Sequence, residues 1–279
     1  MANGFSLDKC RAVITGASSG LGAEFARQLA PRAELLVLVA RRLEALEEVR
    51  RGLPAGGARV ECCAADLGTE AGRAVLLAFL DAKGLCPSLW INNAGLGDYG
   101  PFASSAVEKS RLQIDLNITA LTLLSHGAIP RLARPGAILN VSSLAGTLPM
   151  PELAVYAATK AYVTSFSEAL AIELEGQGIT VTCVCPGPTP TNFSQTARRP
   201  DGTDTDRSGQ GFLRIPPERV VGEALRGLEA GRACVHPGAG VQVAARLFRL
   251  MPRWLLRRFL RRRAAKGRMA AKSHAAPST

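Results

Sequence analysis

The chain has 279 residues, of which 47% are hydrophobic and 20% are charged, a composition typical of a folded globular protein rather than a disordered one. Its formal net charge of +11 is confined to one end, because residues 231–279 contain 12 of the 34 Lys and Arg residues and none of the 23 Asp and Glu residues. Residues 1–230 carry 22 basic and 23 acidic side chains. A near-neutral body argues against a nucleic-acid-binding protein and leaves a basic tail with a separate role.

The cysteines and the amino-terminal sequence indicate in which cellular compartment we expect the protein. Seven cysteines are an odd number and show no disulfide framework, which favours a reducing environment. No run of 18 apolar residues occurs, and Met1–Arg11 lacks the apolar stretch of a signal peptide. We therefore expect a cytoplasmic protein without a membrane-spanning segment, in which Cys183 and Cys185 are buried thiols on one face of a strand.

In the first half of the chain, short β-branched runs alternate with amphipathic stretches. Such alternation predicts strand–helix units that build an α/β fold with a doubly wound parallel sheet and helices on both faces. The predicted strands are Arg11–Thr15, Glu34–Ala40, Arg59–Cys63 and Leu89–Asn92, and the predicted helices are Leu21–Leu29, Leu43–Arg51 and Glu70–Leu80.

The second half continues this alternation with longer helices. Predicted helices at Ser105–Leu132 and Leu153–Glu175 precede the strands Gly136–Val141 and Thr180–Val184. The first of these helices has more apolar positions than one buried stripe needs. A homodimer or homotetramer interface would explain the excess, and so would deep burial within one subunit. The positions are Leu112, Leu116, Ile118, Leu121 and Leu124.

The region after the last of these strands divides into a polar loop and a basic tail. Residues 187–216 are polar and irregular, and because long loops in compact domains are usually functional or disordered, we interpret them as a substrate lid. One catalytic domain is expected over residues 1–236, followed by the tail at 237–279.

The tail has the pattern of a basic amphipathic helix. Residues 241–263 place apolar side chains near helical spacing among arginines, and Pro252 should kink or divide the helix. Attachment to an anionic membrane surface explains this pattern, as does packing on the body or on another subunit. Nucleic-acid binding is not expected.

A glycine-rich turn follows the first strand and begins the first helix. Glycines in this context let the backbone approach a pyrophosphate, whose charge is favoured at the helix amino terminus. The spacing TGxxxGxG differs from the commoner GxGxxG, but its strand–turn–helix setting predicts a dinucleotide site on a Rossmann-type sheet. The turn reads Thr15-Gly16-Ala17-Ser18-Ser19-Gly20-Leu21-Gly22, and the predicted contacts are Gly16, Ser18, Ser19, Gly20, Leu21 and Gly22.

The end of the second strand indicates which dinucleotide binds. An NAD-preferring site usually has an acidic residue there for the ribose 2′-hydroxyl, whereas this chain has Arg41 and Arg42. Guanidinium groups can hold a 2′-phosphate through charge-assisted hydrogen bonds. The pair therefore favours NADP(H), although two arginines could also simply begin a solvated helix.

Tyr156 and Lys160 share one face of a predicted helix, so an ammonium can lie beneath a phenol. A free phenol has a pKa of about 10, and a nearby cation lowers that pKa, which would make Tyr156 a usable proton donor and acceptor near neutrality. Together with Asn117 and Ser143, these residues form a candidate catalytic set.

This ordered series of motifs resembles the short-chain dehydrogenase/reductase family over residues 8–235, in particular its branch of hydroxysteroid dehydrogenases and long-chain ketoacyl reductases. The resemblance implies that Tyr156 is the general acid/base, that Lys160 also holds the nicotinamide ribose, and that Asn117 organises a water chain to the ammonium. It implies that Ser143, rather than the adjacent Ser142, orients the substrate oxygen. The motifs are Thr15–Gly22, Asp66-Leu67, Asn92–Gly95, Asn117, Ser143, Tyr156-x-x-x-Lys160 and Pro186-Gly187 with Thr191.

The same resemblance implies further cofactor contacts. Asp66, with Leu67, is expected at the adenine, and the loop segment Asn93-Ala94-Gly95 on the adenosine side. The carboxamide is expected near Pro186, Gly187, Thr189 and Thr191. Thr189 departs from the Val or Ile that the family often has at this point, which bears on the shape of the loop.

The predicted function is reversible, NADPH-dependent reduction of a ketone or aldehyde, with a lipophilic substrate expected from the family branch. The alternative is a sensor or scaffold that binds the cofactor without turnover. His126, His236 and His274 have no partner at metal-ligand spacing, so no metal is expected.

Overall fold

The structure is a computed structural model that describes residues 5–193, 197, 199 and 213–262. Most of the predicted lid, including residues 200–212, lies outside the described residues. The end of the predicted tail after residue 262, with His274, lies outside them too.

The sheet contains seven parallel strands in the order β3-β2-β1-β4-β5-β6-β7. The strand order reverses between β1 and β4, and in such sheets the crevice at the carboxyl ends of the strands on either side of the reversal is where ligands bind. The predicted doubly wound parallel sheet is therefore confirmed. The strands are β1 Arg11–Thr15, β2 Leu35–Ala40, β3 Arg59–Ala64, β4 Leu89–Asn92, β5 Gly136–Val141, β6 Ile179–Val184 and β7 Cys234–Val235.

Helices cover both faces of the sheet because strand side chains alternate between two buried layers. Ile14 faces the layer that contains side chains of α1, α2 and α7, whereas Val13 faces the layer that contains side chains of α3, α5 and α6. The helices are α1 Gly20–Leu29, α2 Leu43–Arg51, α3 Glu70–Ala82, α4 Val107–Ile114, α5 Leu121–Ala128, α6 Ala154–Leu174, α7 Pro217–Glu229, α8 Ala239–Leu250 and α9 at 253–262.

The long helix predicted at Ser105–Leu132 is shorter and irregular. It consists of α4 and α5 joined by a π-helical segment, Asp115–Ala120. Leu121 and Leu124 are buried, as burial within one subunit predicts. Leu112 is exposed, as a residue available to a subunit interface would be.

Two elements were absent from the sequence prediction. β7 has only two residues, too few to show a period, and it forms because its backbone accepts hydrogen bonds from Cys183 and Cys185. α7 begins at Pro217 directly after Pro216. Although proline suits the first helical position, a proline pair in a polar segment resembles a loop.

The carboxyl-terminal helices pack on the body through one side. α8 buries Val241 and Ala245 in a small core with Leu213 and Ile215, and α9 buries Leu256 and Leu260. The chain is extended at Met251 between the two helices, as Pro252 predicts. Among the described residues, no helix combines the length and apolar composition needed to cross a membrane.

Candidate active site

The glycine-rich turn lies at the carboxyl end of β1, next to the loop that follows β4. Gly16 has φ +66°, and a Cβ there would lie 2.8 Å from the Ala94 Cα, so only glycine fits. Asn93 holds the turn from the other side, because its Nδ2 donates to the carbonyl oxygens of Thr15 at 2.9 Å and Gly16 at 3.2 Å. The two loops are thereby fixed as one surface.

Donors for an anion converge on this surface. Within the described chain, the Ser19 hydroxyl makes no capping hydrogen bond at the start of α1, so the first N–H groups of the helix are available to a phosphate. Arg41 and Arg42 are exposed at the end of β2, and neither forms an ion pair with another described residue. These groups match the charge of a dinucleotide phosphate.

The other predicted cofactor residues follow the carboxyl ends of β3 and β6. Asp66 is exposed after β3 and accepts a hydrogen bond from the Gly68 N–H at 3.1 Å, whereas Leu67 is buried. Thr191 packs against the turn, since a Cβ on Gly20 would lie 3.2 Å from its Cβ. Thr189, which stands where the family often has Val or Ile, donates from its hydroxyl to the Gly187 carbonyl at 3.1 Å.

Ser143, Tyr156 and Lys160 meet beyond the end of β5. Ser143 begins a short 3₁₀ turn there, where its Oγ accepts from the Ala145 N–H at 3.1 Å, and its hydroxyl lies close enough to the phenol of Tyr156 on α6 to influence the pKa of that phenol. The Lys160 Nζ lies 5.8 Å from the Tyr156 ring centroid and donates to the Val141 carbonyl at 2.8 Å. A hydroxyl, a phenol and an ammonium therefore lie close together beyond the end of β5.

Burial changes the ionisation expected from the sequence. Desolvation raises the pKa of Tyr156 above its ordinary value, although the Ser143 hydrogen bond opposes the rise. Desolvation also lowers the pKa of Lys160 to about 8. The expectation that Lys160 lowers the pKa of Tyr156 is thus not met, and the phenol is protonated at neutral pH.

Asn117 lies in the π-helical segment and is almost fully buried. Its side-chain amide binds the backbone of Leu96 on both sides, with Oδ1 accepting from the N–H and Nδ2 donating to the carbonyl, each at 2.8 Å. A Cβ on Gly95 would lie 3.3 Å from the Asn117 Oδ1 and 3.4 Å from the Lys160 Nζ. Glycine at this position lets both polar groups approach the loop.

Ser142 and Ser143 face different neighbours. The buried Ser142 hydroxyl donates to the Lys160 carbonyl at 2.7 Å and contacts the Thr164 hydroxyl at 2.8 Å. Ser142 thus anchors α6 to the end of β5, while Ser143 faces Tyr156.

Sequence reasoning missed a buried ion pair beside this site. Arg199, in the predicted lid, donates from Nε to Asp98 Oδ1 at 3.0 Å and from Nη2 to Asp98 Oδ2 at 2.7 Å. Burial alone would raise the pKa of Asp98, but hydrogen bonds from Arg199, Ser105 and Lys109 outweigh it and hold the pKa at about 2. The available signal was a carboxylate three positions after the Asn93-Ala94-Gly95 segment.

The neighbourhood of His236 also differs from the expectation. The sequence shows no histidine at metal-ligand spacing, yet the His236 Nδ1 lies 3.8 Å from the Cys234 Sγ, and Cys185, directly after the adjacent strand β6, joins them. Long-range strand pairing forms this cluster, which linear spacing did not reveal.

Comparison with known proteins identifies the family. A family profile described as short chain dehydrogenase matches residues 11–202. A very-long-chain 3-oxoacyl-CoA reductase of Kluyveromyces lactis is 35% identical over 173 residues, which cover 58% of this chain and 50% of that protein. An 11-beta-hydroxysteroid dehydrogenase of Pinus massoniana is 38% identical over 166 residues, 58% of this chain and 46% of that protein. The chain thus spans about half the length of these curated relatives.

Solved structures match over more of the chain. A short-chain dehydrogenase from Sphingobium yanoikuyae in complex with NADPH has a TM-score of 0.74 and 30% identity, covering 97% of each chain. A short-chain dehydrogenase/reductase from Burkholderia phymatum in complex with NAD has a TM-score of 0.75 and 26% identity, covering 87% of this chain and 94% of that one. The fold, the glycine-rich turn and these similarities agree, and the chain belongs to the short-chain dehydrogenase family.

Proposed function

We propose that this protein is an NADP(H)-dependent oxidoreductase that reduces a lipophilic ketone or aldehyde and oxidises the corresponding alcohol in the reverse direction. The observation that carries the proposal is the contact of the Ser143 hydroxyl with the Tyr156 phenol, with the Lys160 ammonium behind them. A protein that only binds a nucleotide has no need of this buried proton-transfer group.

In the proposed mechanism, Tyr156 is the general acid of carbonyl reduction and the general base of alcohol oxidation. Ser143 donates a hydrogen bond to the substrate oxygen and orients it toward the phenol. The ammonium of Lys160 stabilises the phenolate that forms when Tyr156 gives up its proton, and the Val141 carbonyl fixes the ammonium. When bound, the nicotinamide supplies the hydride.

The proposed cofactor is NADP(H). The glycine turn and the amino terminus of α1 offer N–H groups to the pyrophosphate, and Arg41 and Arg42 offer charge to a 2′-phosphate. The complexes of similar structures support a nicotinamide dinucleotide in general, because they include NADPH as well as NAD.

Three further features belong to the proposal. Residues 187–216 act as a substrate lid of the domain at 1–236, supported by the contact of Phe193 with Tyr156, whose ring centroids are 5.4 Å apart. A lipophilic substrate is supported by the 3-oxoacyl-CoA reductase and hydroxysteroid dehydrogenase relatives. Exposed Leu112 on α4 and Ile172 on α6 support a homo-oligomer.

The assay that tests the proposal is oxidation of NADPH and NADH with a long-chain 3-oxoacyl thioester and a ketosteroid. Tyr156→Phe should retain cofactor binding and lose turnover by about a hundredfold or more, because only the transferable proton is removed. Tyr162→Phe is the matched control, since Tyr162 lies on the same helix but contacts the Thr122 hydroxyl at 2.9 Å.

Three outcomes would contradict parts of the proposal. Normal turnover by Tyr156→Phe would eliminate Tyr156 as the acid. A kcat/KM ratio of NADPH to NADH below one would overturn the assignment of NADP(H). Cofactor binding without turnover of any carbonyl compound would favour a sensor or scaffold.

A further inference from the structure

Three thiols and an imidazole meet where β6 and β7 run side by side. Cys183 pairs with Cys234 in the parallel ladder, and Val184 pairs with Val235. Because side chains of an extended chain alternate between faces, Cys183 of β6 and Cys185, directly after β6, lie on the same face as Cys234 of β7. His236 follows Cys234 by two residues and points toward it.

The distances within this cluster suit a metal ion. The Cys185 Sγ lies 3.9 Å from the Cys234 Sγ, which lies 3.8 Å from the His236 Nδ1. The ligand atoms of these three residues are all within 4.8 Å of one another. In a tetrahedral zinc site with Zn–S bonds of about 2.3 Å, two sulfur ligands are about 3.8 Å apart.

We propose that Cys185, Cys234 and His236 form a binding site for a thiophilic divalent ion such as Zn²⁺. We assign the fourth position to Cys183, whose Sγ is 3.8 Å from the Cys185 Sγ, although it lies outside the set of three ligand atoms that are all within 4.8 Å of one another. Three cysteines and one histidine form a recognised ligand set of structural zinc sites, and soft thiolate ligands favour zinc over magnesium or calcium.

Access and charge are compatible with this site. Cys234 and His236 are only half-buried, and both line a cavity of about 610 Å³. A zinc ion bound by three thiolates would have a net negative charge, which arginines of the same cavity would offset. The charged residues that line the cavity are Arg226, Arg232, Arg246 and Arg249, together with Glu168 and Glu223.

The ion would act as a clamp on the edge of the sheet. β7 has only two residues, and backbone hydrogen bonds from Cys183 and Cys185, each 2.8 Å long, attach it to β6. Metal coordination would add side-chain links between the same strands and hold the start of α8, which follows directly. The proposed site adjoins the candidate active site, because Cys183 and Cys185 lie close enough to Lys160 to influence its pKa. The inference itself does not depend on the proposed enzymatic function.

The test uses the full-length, reduced and chelator-stripped protein, to which Co²⁺ is added in place of zinc. We expect one ion per chain by elemental analysis, together with the intense visible ligand-field bands and thiolate charge-transfer bands of tetrahedral cobalt. Zn²⁺ should displace the cobalt and raise the Tm, since a ligand that binds only the folded state stabilises it.

Cys234→Ser and His236→Asn should each lose the tetrahedral spectrum and the Tm increase. Cys86→Ser, which removes an exposed cysteine outside the cluster, should retain both. Absence of a tetrahedral cobalt spectrum from the reduced wild-type protein would overturn the proposal. So would the same spectrum in Cys234→Ser and His236→Asn, each verified as folded by circular dichroism, or a disulfide among these cysteines in protein purified with no added oxidant.

Discussion

Lys160 shows how the fold changes the chemistry of a single residue. The sequence predicts a cation that activates Tyr156, and the structure adds that burial lowers the pKa of this cation to about 8. Because the ammonium is the form that stabilises a phenolate, its loss at alkaline pH should slow carbonyl reduction. The burial of the side chain thus sets the pH range of the proposed reaction.

We therefore expect kcat/KM for carbonyl reduction to be constant below about pH 8 and to fall above it. With one required ammonium, the decline should approach about tenfold per pH unit. Steady-state kinetics from pH 6 to 10 with saturating NADPH would measure this alkaline decline of kcat/KM.

Lys160→Arg is the matched control for this profile. Arginine remains charged throughout the range, so the decline near pH 8 should disappear from whatever activity this variant retains. An unchanged alkaline limb in Lys160→Arg would assign the titration to another group.

The proposed proton-transfer pair, Tyr156 and Lys160, was accessible to sequence reasoning because its spacing follows local geometry. Tyr156 and Lys160 are one helical turn apart, and this relation holds in any helix. The bonding of Asn117 was not accessible in this way, since its partner Leu96 lies 21 positions away and the π-helical segment depends on packing between elements.

Among the elements, the loop after β4 and Arg199 of the proposed lid are joined by a buried charge network. Asp98 binds Arg199 and also Lys109, whose Nζ lies 3.0 Å from Asp98 Oδ1. The Tyr99 N–H donates to the Ala197 carbonyl at 3.0 Å beside this network. We interpret this network as the latch that holds the proposed lid over Tyr156.

Arg199→Ala should lower the free energy of unfolding by about 3 kcal/mol, because it leaves a buried carboxylate with fewer partners. The KM for the ketone should rise more than kcat falls, since the lid loosens while the proton-transfer residues stay in place. Urea denaturation and steady-state kinetics measure the two effects.

Arg50→Ala serves as the comparison, because Arg50 forms an exposed ion pair with Glu47 at 2.6 Å on α2. Exposed pairs contribute about 0.2–1 kcal/mol, so this variant should remain close to wild type. Equal stability losses in the two variants would contradict a latch at Arg199.

At the scale of the whole molecule, the carboxyl-terminal helices present two different surfaces. Their buried side packs on the body through Val241 and Leu256. Their outer side exposes Trp254 by 69% and Phe259 by 50%, next to arginines that no acidic residue of the tail neutralises. We propose that this outer side attaches peripherally to an anionic membrane surface.

Replacing Trp254 and Phe259 together by serine should abolish most sedimentation with phosphatidylglycerol vesicles and leave the Tm nearly unchanged. These side chains are exposed, so the substitution removes apolar contact with lipid and spares the packing of α9 on the body. Binding of the wild type should weaken at high salt, because arginines contribute to it.

Val75→Ser, on the outer face of α3, removes an exposed apolar side chain elsewhere and should sediment as the wild type does. Equal sedimentation of the double variant and the wild type would reject membrane attachment through α9.

The amino-acid sequence alone predicts the alternation of strands and helices, the glycine turn and the order of the polar motifs. These features follow from local periods of 2 and 3.6 residues and from short, rigid spacings, which do not require knowledge of distant contacts. The division of the tail at Pro252 is also predictable from local sequence, because a proline ring interrupts the helix at its own position.

The features that join distant parts of the chain follow from the three-dimensional packing. The latch brings Arg199 to Asp98, and the register of β6 and β7 brings Cys234 to Cys183. The raised pKa of Tyr156 also belongs here, because desolvation depends on everything packed around the phenol. Each of these features depends on contacts between residues far apart in the chain, which no local pattern encodes.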